Sequence, residues 1–581
     1  MLASRVPVVA FALVLACCAG PTTPTHERVG LRPAERSLAY AERLLAVDAR
    51  FEPEDAGELG ALGLDESIYD LTSGSDERAM RAYAEIETAL RAAIATETDP
   101  SVQIDLGLLA EAAADRYRDI ELQRKYCVAD IEVAKRIADG VRALLDEQVP
   151  AARHGAALVR LRKYAGLPPG TVPIVELAEA RARERLARCS TPFILQARVD
   201  RYLLGWRSSL AGLRPELERL GVLGADEPLS TLVRQLEGYE AFLRRELLPR
   251  AQSDLRRPEE LYAFALTHVG IDMPARELAA LARAEFTKTQ AELQGAAVDV
   301  AARLGLASHD YRDVLRALKA HQVEGEDLVA LYEKRIRDIE GILVEHSVVS
   351  LPKRALRFRL ATEAESEGIP APFYKAPPLL QNHGEEGTFV LPRHGGQAGR
   401  FDDFSSDASS WWLTAHEGRP GHDLQYSRMI ESNVTLARAH FAFNSANAEG
   451  WGLYAESLVL PYAPLEGRLA ILQARLMREA HAFLDPELNL GMITADEARR
   501  VMTDDVVFSP AWAASSVQRY SVWWPGQAPS YFYGYTRLVQ LHHDAQSAWG
   551  AQFSERRFND AVLAQGFLPY PLLRRALLGR P

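Results

Sequence analysis

The chain has 581 residues, of which 48% are apolar and 25% are charged, so it can bury a large hydrophobic core. Acidic residues outnumber basic ones by 79 to 67, which gives a formal net charge of -12, and the basic residues form no cluster interleaved with aromatic side chains. These features argue against nucleic acid as a partner.

The first eighteen residues have the pattern of an export signal. Arg5 is followed by an apolar run that ends in small residues and two cysteines, and such a run is too short to span a membrane stably. The stretch Leu15-Ala-Cys-Cys18 resembles a bacterial lipobox. We therefore predict Cys18 as the lipidated residue, with Cys17 and an unlipidated periplasmic signal as the alternatives. The expected location is the bacterial cell envelope, where the chain faces the periplasm and meets the membrane only through this N-terminal lipid.

Two further cysteines, Cys127 and Cys189, follow the signal. An oxidising compartment permits a disulfide between them, but their positions in the sequence do not show that they are close in space. One bridge and two buried thiols are therefore equally compatible with the sequence.

Residues 19–345 are predicted to be mostly helical. Apolar residues recur at spacings of three and four along stretches rich in Ala, Leu, Glu and Arg, with charged residues on the opposite face. Such stripes are typical of helices that pack into a core. Two of them are Tyr83, Ile86, Leu90 and Ile94, and then Tyr332, Ile336, Ile339 and Leu343.

The composition changes near residue 346. Short β-favouring stretches are interrupted by proline and glycine up to residue 400, which predicts a small sheet beside a cleft. Gly387–Leu391 is predicted as an edge strand that pairs with an extended substrate, with Gly387 and Phe389 as substrate-binding residues. A purely structural hairpin is nearly as compatible with this stretch. Helical periodicity resumes from Ser409, so residues 346–581 are predicted to form a second, mainly helical region.

The second region contains a His-Glu pair followed by another histidine. In the zincin motif two imidazoles on one helical face hold zinc, and the intervening glutamate acts on a water molecule. His416 and His422 are six residues apart, however, and would diverge by roughly 120° on a regular helix. Pro420 disrupts helical hydrogen bonding and Gly421 tolerates unusual dihedral angles, so we predict a bulge that brings the imidazoles together. In this interpretation both histidines are metal ligands and Glu417 is the general base, rather than a helix end that carries these residues by chance.

Two glutamates downstream are candidates for the third ligand that such a zinc site needs. Glu449 and Glu456 share a helical face but stand two turns apart, about 10.5 Å along the axis, so both cannot bind one zinc. We predict Glu449 as the ligand and Glu456 as a hydrogen-bond acceptor that orients a ligand imidazole. A structural ion pair is the alternative for Glu449.

Several motifs of the second region together resemble one bacterial family. They are His416-Glu417-x-x-Pro420-Gly421-His422, Glu449-Gly-Trp-Gly-Leu-Tyr-Ala-Glu456, Arg519-Tyr520, Pro525-Gly-Gln-Ala528, Tyr531 and Gly534. This set resembles the bacterial domain-of-unknown-function family 885, which is similar to gluzincin peptidases of neurolysin-like helical fold. The resemblance implies a Zn2+ cofactor, peptidase activity and a two-lobed, mainly α-helical, zincin-like architecture. It also implies that residues 19–345 wall a deep cleft and that residues 346–581 are the catalytic region. The chain departs from the family pattern at Asp423 and Asn559, where the family has histidines.

Arg519, Tyr520 and Tyr531 are further candidates for the active site. A tyrosine hydroxyl can donate to a developing oxyanion, so Tyr520 and Tyr531 are predicted as catalytic residues. Packing within the core is about equally compatible with both. Arg519 is predicted to bind the substrate, because a guanidinium group suits a peptide carboxylate.

The expected function is that of a zinc metallopeptidase in which Glu417 takes a proton from water and passes it to the leaving amine. Short peptides are the expected substrates, because a cleft walled by residues 19–345 would exclude folded proteins. Two alternatives stay open. One is a zinc hydrolase of a non-peptide amide or ester, and the other is an envelope lipoprotein that binds peptides at a degenerate metal site.

Overall fold

The structure, a computed structural model, describes residues 31–129, 131–362, 365–366, 371–393 and 403–579. Within these ranges the protein is mainly α-helical, as the sequence predicts, and carries one small β-sheet. The predicted lipidation site Cys18 and its alternative Cys17 lie outside the described residues. No helix in the described ranges is both long enough and apolar enough to cross a membrane.

Fourteen α-helices precede the sheet in the described part of the chain. A π-helical turn, Leu243–Leu247, and a short 3-10 turn, Leu248–Arg250, extend the tenth of them. In order, the helices are α1 (Pro33–Phe51), α2 (Pro53–Glu58), α3 (Ser75–Ile94), α4 (Pro100–Lys125), α5 (Val133–Arg142), α6 (Ala151–Tyr164), α7 (Ile174–Leu186), α8 (Gln196–Ala211), α9 (Leu213–Arg219), α10 (Asp226–Phe242), α11 (Glu259–His268), α12 (Ala275–Leu304), α13 (Tyr311–Lys319) and α14 (Gly325–Glu345).

The sheet has three strands, β1 (Leu356–Leu360), β2 (Phe373–Lys375) and β3 (Gly387–Leu391), in the order β1-β3-β2. Strand β1 runs parallel to β3 and β2 runs antiparallel to it. All five residues of β3 are buried. The prediction that this segment is an edge strand is therefore wrong, because both of its edges are already paired. Phe389 is flanked by both neighbouring strands and cannot pair with a substrate backbone, and its ring packs against Tyr332 with centroids 5.2 Å apart. Gly387 is buried and pairs with Leu356 of β1.

Nine α-helices follow the sheet in the described residues and carry the site. Further π-helical turns lie at Ala437–Phe441, Val501–Asp505 and Arg519–Trp523, and a 3-10 turn lies at Gly550–Gln552. The helices are α15 (Asp407–Glu417), α16 (His422–Glu431), α17 (Ser445–Val459), α18 (Leu465–Asn489), α19 (Ala495–Arg500), α20 (Pro510–Gln518), α21 (Pro529–Trp549), α22 (Glu555–Leu563) and α23 (Tyr570–Leu578).

The hydrophobic cores do not divide at the predicted boundary near residue 346. One core lies wholly within residues 129–247. The largest core combines α12 and α14 with the helices that follow the sheet, and Phe286 of α12 meets Phe483 of α18 edge-to-face with centroids 5.3 Å apart. Residue 346 therefore marks a change in composition, while the later helices of the first region help to build the core beneath the site.

Cys127 and Cys189 form a disulfide, which resolves the alternative that the sequence leaves open. Their Cα atoms are 6.2 Å apart and 62 positions apart in the sequence. The bond joins the end of α4 to the segment after α7, within the first region and apart from the candidate site.

Candidate metal centre

His416 and His422 lie at two adjoining helix ends. His416 is in the last turn of α15, and His422 is the first residue of α16. The helix is interrupted between them, because Gly418 and Gly421 adopt ψ angles of -118° and -131°, which are not helical. The prediction of a bulge within one continuous helix is therefore wrong in form. The helix ends after Glu417 and a new helix begins at His422, and this break brings the two histidines together.

Close backbone packing explains why glycine occupies position 421. A Cβ atom there would overlap the carbonyl oxygen of His416, so a residue with a side chain does not fit. The break is also fixed from the side, because the indole Nε1 of Trp451 donates a hydrogen bond to the carbonyl oxygen of Pro420 (2.9 Å). Trp451 is a buried core residue that thus also positions the two histidines.

Helix α17 presents one carboxylate to each nitrogen of the His416 ring. Oε1 of Glu456 lies 2.8 Å from Nδ1 of His416, and Oε2 of Glu449 lies 3.4 Å from Nε2. The imidazole therefore lies along the helix between two glutamates that are two turns apart. Gly452 gives it room, because a Cβ atom at this position would lie 2.5 Å from Cε1 of the ring. Sequence reasoning missed Gly452, although a glycine between two glutamates on one helical face is a readable signal.

The three predicted ligands converge on one point. Oε2 of Glu449 lies 3.4 Å from Nε2 of His416 and 3.3 Å from Nε2 of His422. Two ligands that bind zinc tetrahedrally at about 2.0 Å are themselves about 3.3 Å apart. The two distances from Glu449 match this value, and the ligand atoms of all three side chains lie within 4.8 Å of one another, so the donor set could hold a zinc ion. Nδ1 of His416 meets Glu456, so in the neutral form of the ring, the form that binds a metal, the proton is assigned to Nδ1 and the Nε2 lone pair is directed at the cluster.

The cluster holds acidic side chains around two imidazoles. Burial lowers the pKa of His416, but hydrogen bonds with Glu449 and Glu456 outweigh burial and raise that pKa to about 9. Burial raises the pKa of Glu449, but hydrogen bonds with His416 and His422 outweigh burial and hold that pKa well below its ordinary value. A group of carboxylates with this electrostatic character attracts a cation.

Glu417 ends α15 next to His416 and is anchored to the sheet. Its Oε2 accepts a hydrogen bond from the backbone N–H of Tyr374 in β2 (3.0 Å). Its Oε1 has no hydrogen bond to any residue in the described ranges. The sheet edge beside Glu417 is therefore that of β2, and not that of β3. Tyr374 was missed because its position depends on strand pairing, which no local sequence signal marks.

A close crossing of two helices brings Tyr531 to the cluster. Helices α17 and α21 meet at Gly450 and Gly534, where a Cβ atom on Gly534 would overlap the carbonyl oxygen of Ala446. Tyr531 lies one turn earlier in α21. Its ring stacks on that of His416, with centroids 6.0 Å apart and planes 19° apart.

Arg519 lies beside the hydroxyl group of Tyr531. Its Nη2 donates hydrogen bonds to that hydroxyl (3.0 Å) and to Oε1 of Gln527. Gln527 is held in turn, because its Nε2 donates to Oγ of Ser445 (2.9 Å). A chain of neutral groups thus positions the guanidinium.

Tyr520 is fully buried and does not reach the cluster directly. Its ring meets His481 edge-to-face with centroids 5.3 Å apart, and His481 meets Tyr531 in the same way at 6.5 Å. Among the described residues, no hydrogen bond, ion pair or ring contact joins Tyr520 to the three predicted ligands. For Tyr520 the packing alternative fits this position better than the catalytic one.

The two positions that depart from the family pattern have structural partners of their own. Oδ2 of Asp423 accepts a hydrogen bond from Nε of Arg419 (2.8 Å), and burial raises the pKa of this aspartate to about 6. Asn559 is buried as well, and its Nδ2 donates to the carbonyl oxygen of Val348 (2.9 Å). Neither residue belongs to the His416, His422 and Glu449 group.

One family model matches nearly the whole chain. It describes bacterial proteins of unknown function, DUF885, and it matches residues 53–577. The chain belongs to the DUF885 family. The resemblance read from the motifs is thereby confirmed, and the family match itself assigns no activity. A comparison with curated proteins gave no match.

Two solved structures share the fold of this DUF885 protein. One is a protein from Colwellia psychrerythraea, provisionally described as a lipoprotein, with a TM-score of 0.74 and 17% identity over 94% of this chain and 98% of that one. The other is from Shewanella oneidensis and is provisionally described as a lipoprotein of unknown function. Its TM-score is 0.69, with 19% identity over 94% of this chain and 100% of that one. At these identities the likeness concerns the fold alone.

Proposed function

We propose that this protein is an exported zinc peptidase of zincin-like architecture that hydrolyses short peptides. The observation that carries the proposal is the spacing of the cluster, in which Oε2 of Glu449 lies 3.3 and 3.4 Å from the two imidazole nitrogens. Two histidines and a glutamate are a donor set used by catalytic zinc sites. A His-Glu pair, a second histidine and a glutamate from a later helix are also the parts expected of a gluzincin.

His416, His422 and Glu449 would hold the metal in this proposal. When bound, zinc acts as a Lewis acid that polarises a carbonyl group and makes water a nucleophile near neutral pH. Glu456 fixes the tautomer of His416 through its contact with Nδ1 (2.8 Å). Trp451 and the break between α15 and α16 keep the second imidazole facing the first.

Glu417 is the general base of the proposed reaction. The N–H of Tyr374 holds Oε2 (3.0 Å), so the carboxylate is oriented while Oε1 accepts a proton from water. The same oxygen then gives this proton to the leaving amine as the C–N bond breaks. The Tyr531 hydroxyl accepts a hydrogen bond from Arg519 (3.0 Å), so its own proton is available to the oxyanion that develops on the carbonyl oxygen.

Metal analysis together with peptide turnover tests the proposal. The purified chain, without its signal, is expected to hold about one zinc ion per molecule and to hydrolyse a mixture of short peptides. Chelation should remove both properties, and added zinc should restore them. A chain that holds no stoichiometric metal would contradict the proposal and favour a peptide-binding lipoprotein. Turnover of model esters without turnover of peptides would favour the hydrolase of non-peptide substrates.

We also propose that the chain is anchored to the envelope through a lipid on Cys18. The lipobox-like stretch supports this, and both structural relatives are provisionally described as lipoproteins. The mature protein should partition into detergent with the membrane fraction, and replacing Cys17 and Cys18 together should release it. Recovery of the unmodified protein entirely in the soluble periplasmic fraction would contradict the anchor.

A further inference from the structure

The guanidinium group of Arg519 lacks an acidic partner. No carboxylate of the described residues lies within ion-pair distance of it, and its Nη2 is bound by two neutral atoms, the Tyr531 hydroxyl and Oε1 of Gln527. Its Nε is closed to solvent and has no hydrogen-bond partner. Glu449 acts on this cation electrostatically without forming an ion pair with it, so the guanidinium has no anion in direct contact among the described residues. Such an arrangement is typical of a site where a ligand supplies the missing anion.

A second arginine next to the same ring shows the contrast. The guanidinium of Arg478 lies 5.0 Å from the Tyr531 ring, and that of Arg519 lies 5.5 Å from it. The Nε of Arg478 also lacks a hydrogen-bond partner, but its Nη2 lies 3.9 Å from Oε1 of Glu456, so this charge has an acidic neighbour. Arg519 is thus the arginine of this pair whose charge is left for a ligand.

The position of Arg519 relative to the metal cluster limits what that ligand is. Nη2 donates to the Tyr531 hydroxyl (3.0 Å), and the Tyr531 ring lies 6.0 Å from the imidazole of His416. One phenol ring therefore separates the cation from a predicted zinc ligand. An extended peptide advances about 3.4 Å per residue, so an anion held by Arg519 lies about one to three residues from a bond cleaved at the cluster.

An apolar surface accompanies the cation. The side chain of Trp524 is 57% exposed, and its ring lies 5.8 Å from the guanidinium carbon of Arg519. A guanidinium fork beside an open indole surface matches a carboxylate that is attached to an apolar side chain. The C-terminal residue of a peptide has this combination of groups.

We propose that Arg519 binds the free α-carboxylate of a peptide substrate, so that the protein releases short fragments from the C-terminus. This inference rests on the proposed peptidase function. One water is consumed for each cleavage: a C–O bond forms at the carbonyl carbon, the peptide C–N bond breaks, and the proton goes to the new amine. Each released fragment retains the original α-carboxylate.

A pair of peptides tests the inference in the wild-type protein. The two share one N-blocked sequence of four residues that ends in an apolar residue, and one carries a free C-terminal carboxylate while the other carries an amide. The amide should be cleaved with a kcat/KM lower by about 10²- to 10⁴-fold, because a site built for a charged group rejects an analogue that lacks it. Cleavage of both peptides at similar rates would overturn the inference and leave the peptidase proposal intact.

Substitution of Arg519 separates binding from a merely structural role. In Arg519→Gln the ratio of the two kcat/KM values should fall to near one, since the group that distinguishes acid from amide is gone. A structural role would slow both peptides alike and keep the ratio. Arg478→Gln is the matched control, because it removes a neighbouring arginine that has its own acidic partner, and it should preserve the ratio.

Calorimetry on Glu417→Gln distinguishes the two proposals from each other. This variant is expected to bind substrate without turning it over. It should bind the acid at least about tenfold more tightly than the amide, and the difference should vanish when Arg519→Gln is added. Preferential binding of the acid with no hydrolysis by the wild type would contradict the peptidase function and leave the carboxylate site supported. Equal binding of the two peptides would sink the carboxylate site.

Discussion

The two sides of the candidate site carry opposite charge. Helices α15, α16 and α17 gather Glu417, Glu449 and Glu456 around two imidazoles, whereas the π-helical turn after α20 supplies Arg519, which has no ion pair among the described residues. The acidic side is electrostatically complementary to a metal cation, and the cationic side is complementary to a substrate anion. Tyr531 contacts both sides, so its ring links them. Because separate elements build the two sides, each can be perturbed while the other is left in place.

The largest expected effect follows from removing the base on the acidic side. Glu417→Gln keeps the size of the side chain and all three ligands, so zinc should stay at about one per chain. Turnover should fall by about 10⁴-fold or more, because general-base contributions reach that range and Glu417 also delivers the proton to the amine. Peptide turnover and metal content measured on the same sample check this.

His422→Ala is the counterpart of that variant on the ligand set. It should lose zinc and activity together, whereas Glu417→Gln loses activity alone. Retention of most of the wild-type turnover by Glu417→Gln would contradict the mechanism. Retention of full zinc by His422→Ala would contradict the way the helix break pairs the two histidines.

The next effect concerns the ring between the two sides. Tyr531→Phe removes the hydroxyl that Arg519 holds at 3.0 Å while keeping the stacking on His416. We expect kcat to fall by about 10²- to 10³-fold with zinc retained, as for loss of an oxyanion donor. Tyr533→Phe on the same helix is the control, since its hydroxyl meets Asp272 and Arg537 instead and its loss should leave kcat nearly unchanged.

A smaller effect tests whether Glu449 is the metal ligand and Glu456 the hydrogen-bond partner of His416. Glu456→Ala removes the partner of Nδ1 of His416 and should weaken zinc affinity by about 10- to 100-fold. Glu449→Ala removes a ligand and should leave almost no zinc after dialysis. Titration with a competing chelator measures both. Near-full zinc in Glu449→Ala with none in Glu456→Ala would reverse the assignment.

The smallest effect tests the space that the helix leaves for the imidazole. In Gly452→Ala the new Cβ would lie 2.5 Å from Cε1 of His416, so the ring must shift, and zinc affinity should fall by about tenfold. Gly295→Ala is the control, because that helical glycine has open space around it. The control should keep its zinc affinity and gain roughly 0.5 to 1 kcal/mol of stability. Unchanged zinc affinity in Gly452→Ala would show that the ring does not depend on this glycine.

The residues of the acidic side were largely predictable from the sequence, but the form of the break between His416 and His422 was not. The spacing of Glu449 and Glu456 is fixed by a regular helix, so simple periodicity places one glutamate on each nitrogen of His416. Proline and glycine between the two histidines signal a disruption but not its form. That form depends on Trp451, which contacts the break from a different helix.

The order of the strands in the small sheet was also not predicted, because it depends on pairing between separate segments. The strand Gly387–Leu391 was predicted, but its central place in the sheet depends on two distant partners. A signal was available: Leu356–Leu360 alternates leucine and phenylalanine with arginine, as edge strands do, whereas Gly387–Leu391 has no charged residue. The contact between Tyr374 and Glu417 follows from this pairing and had no signal of its own.

Anomalous diffraction shows whether His416, His422 and Glu449 hold a zinc ion. Crystals of the mature chain grown with one equivalent of zinc would be measured on both sides of the zinc absorption edge. We expect one strong anomalous peak about 2.0 to 2.2 Å from Nε2 of both histidines and from a carboxylate oxygen of Glu449. No peak among these three side chains, or zinc bound elsewhere on the chain, would contradict this zinc site.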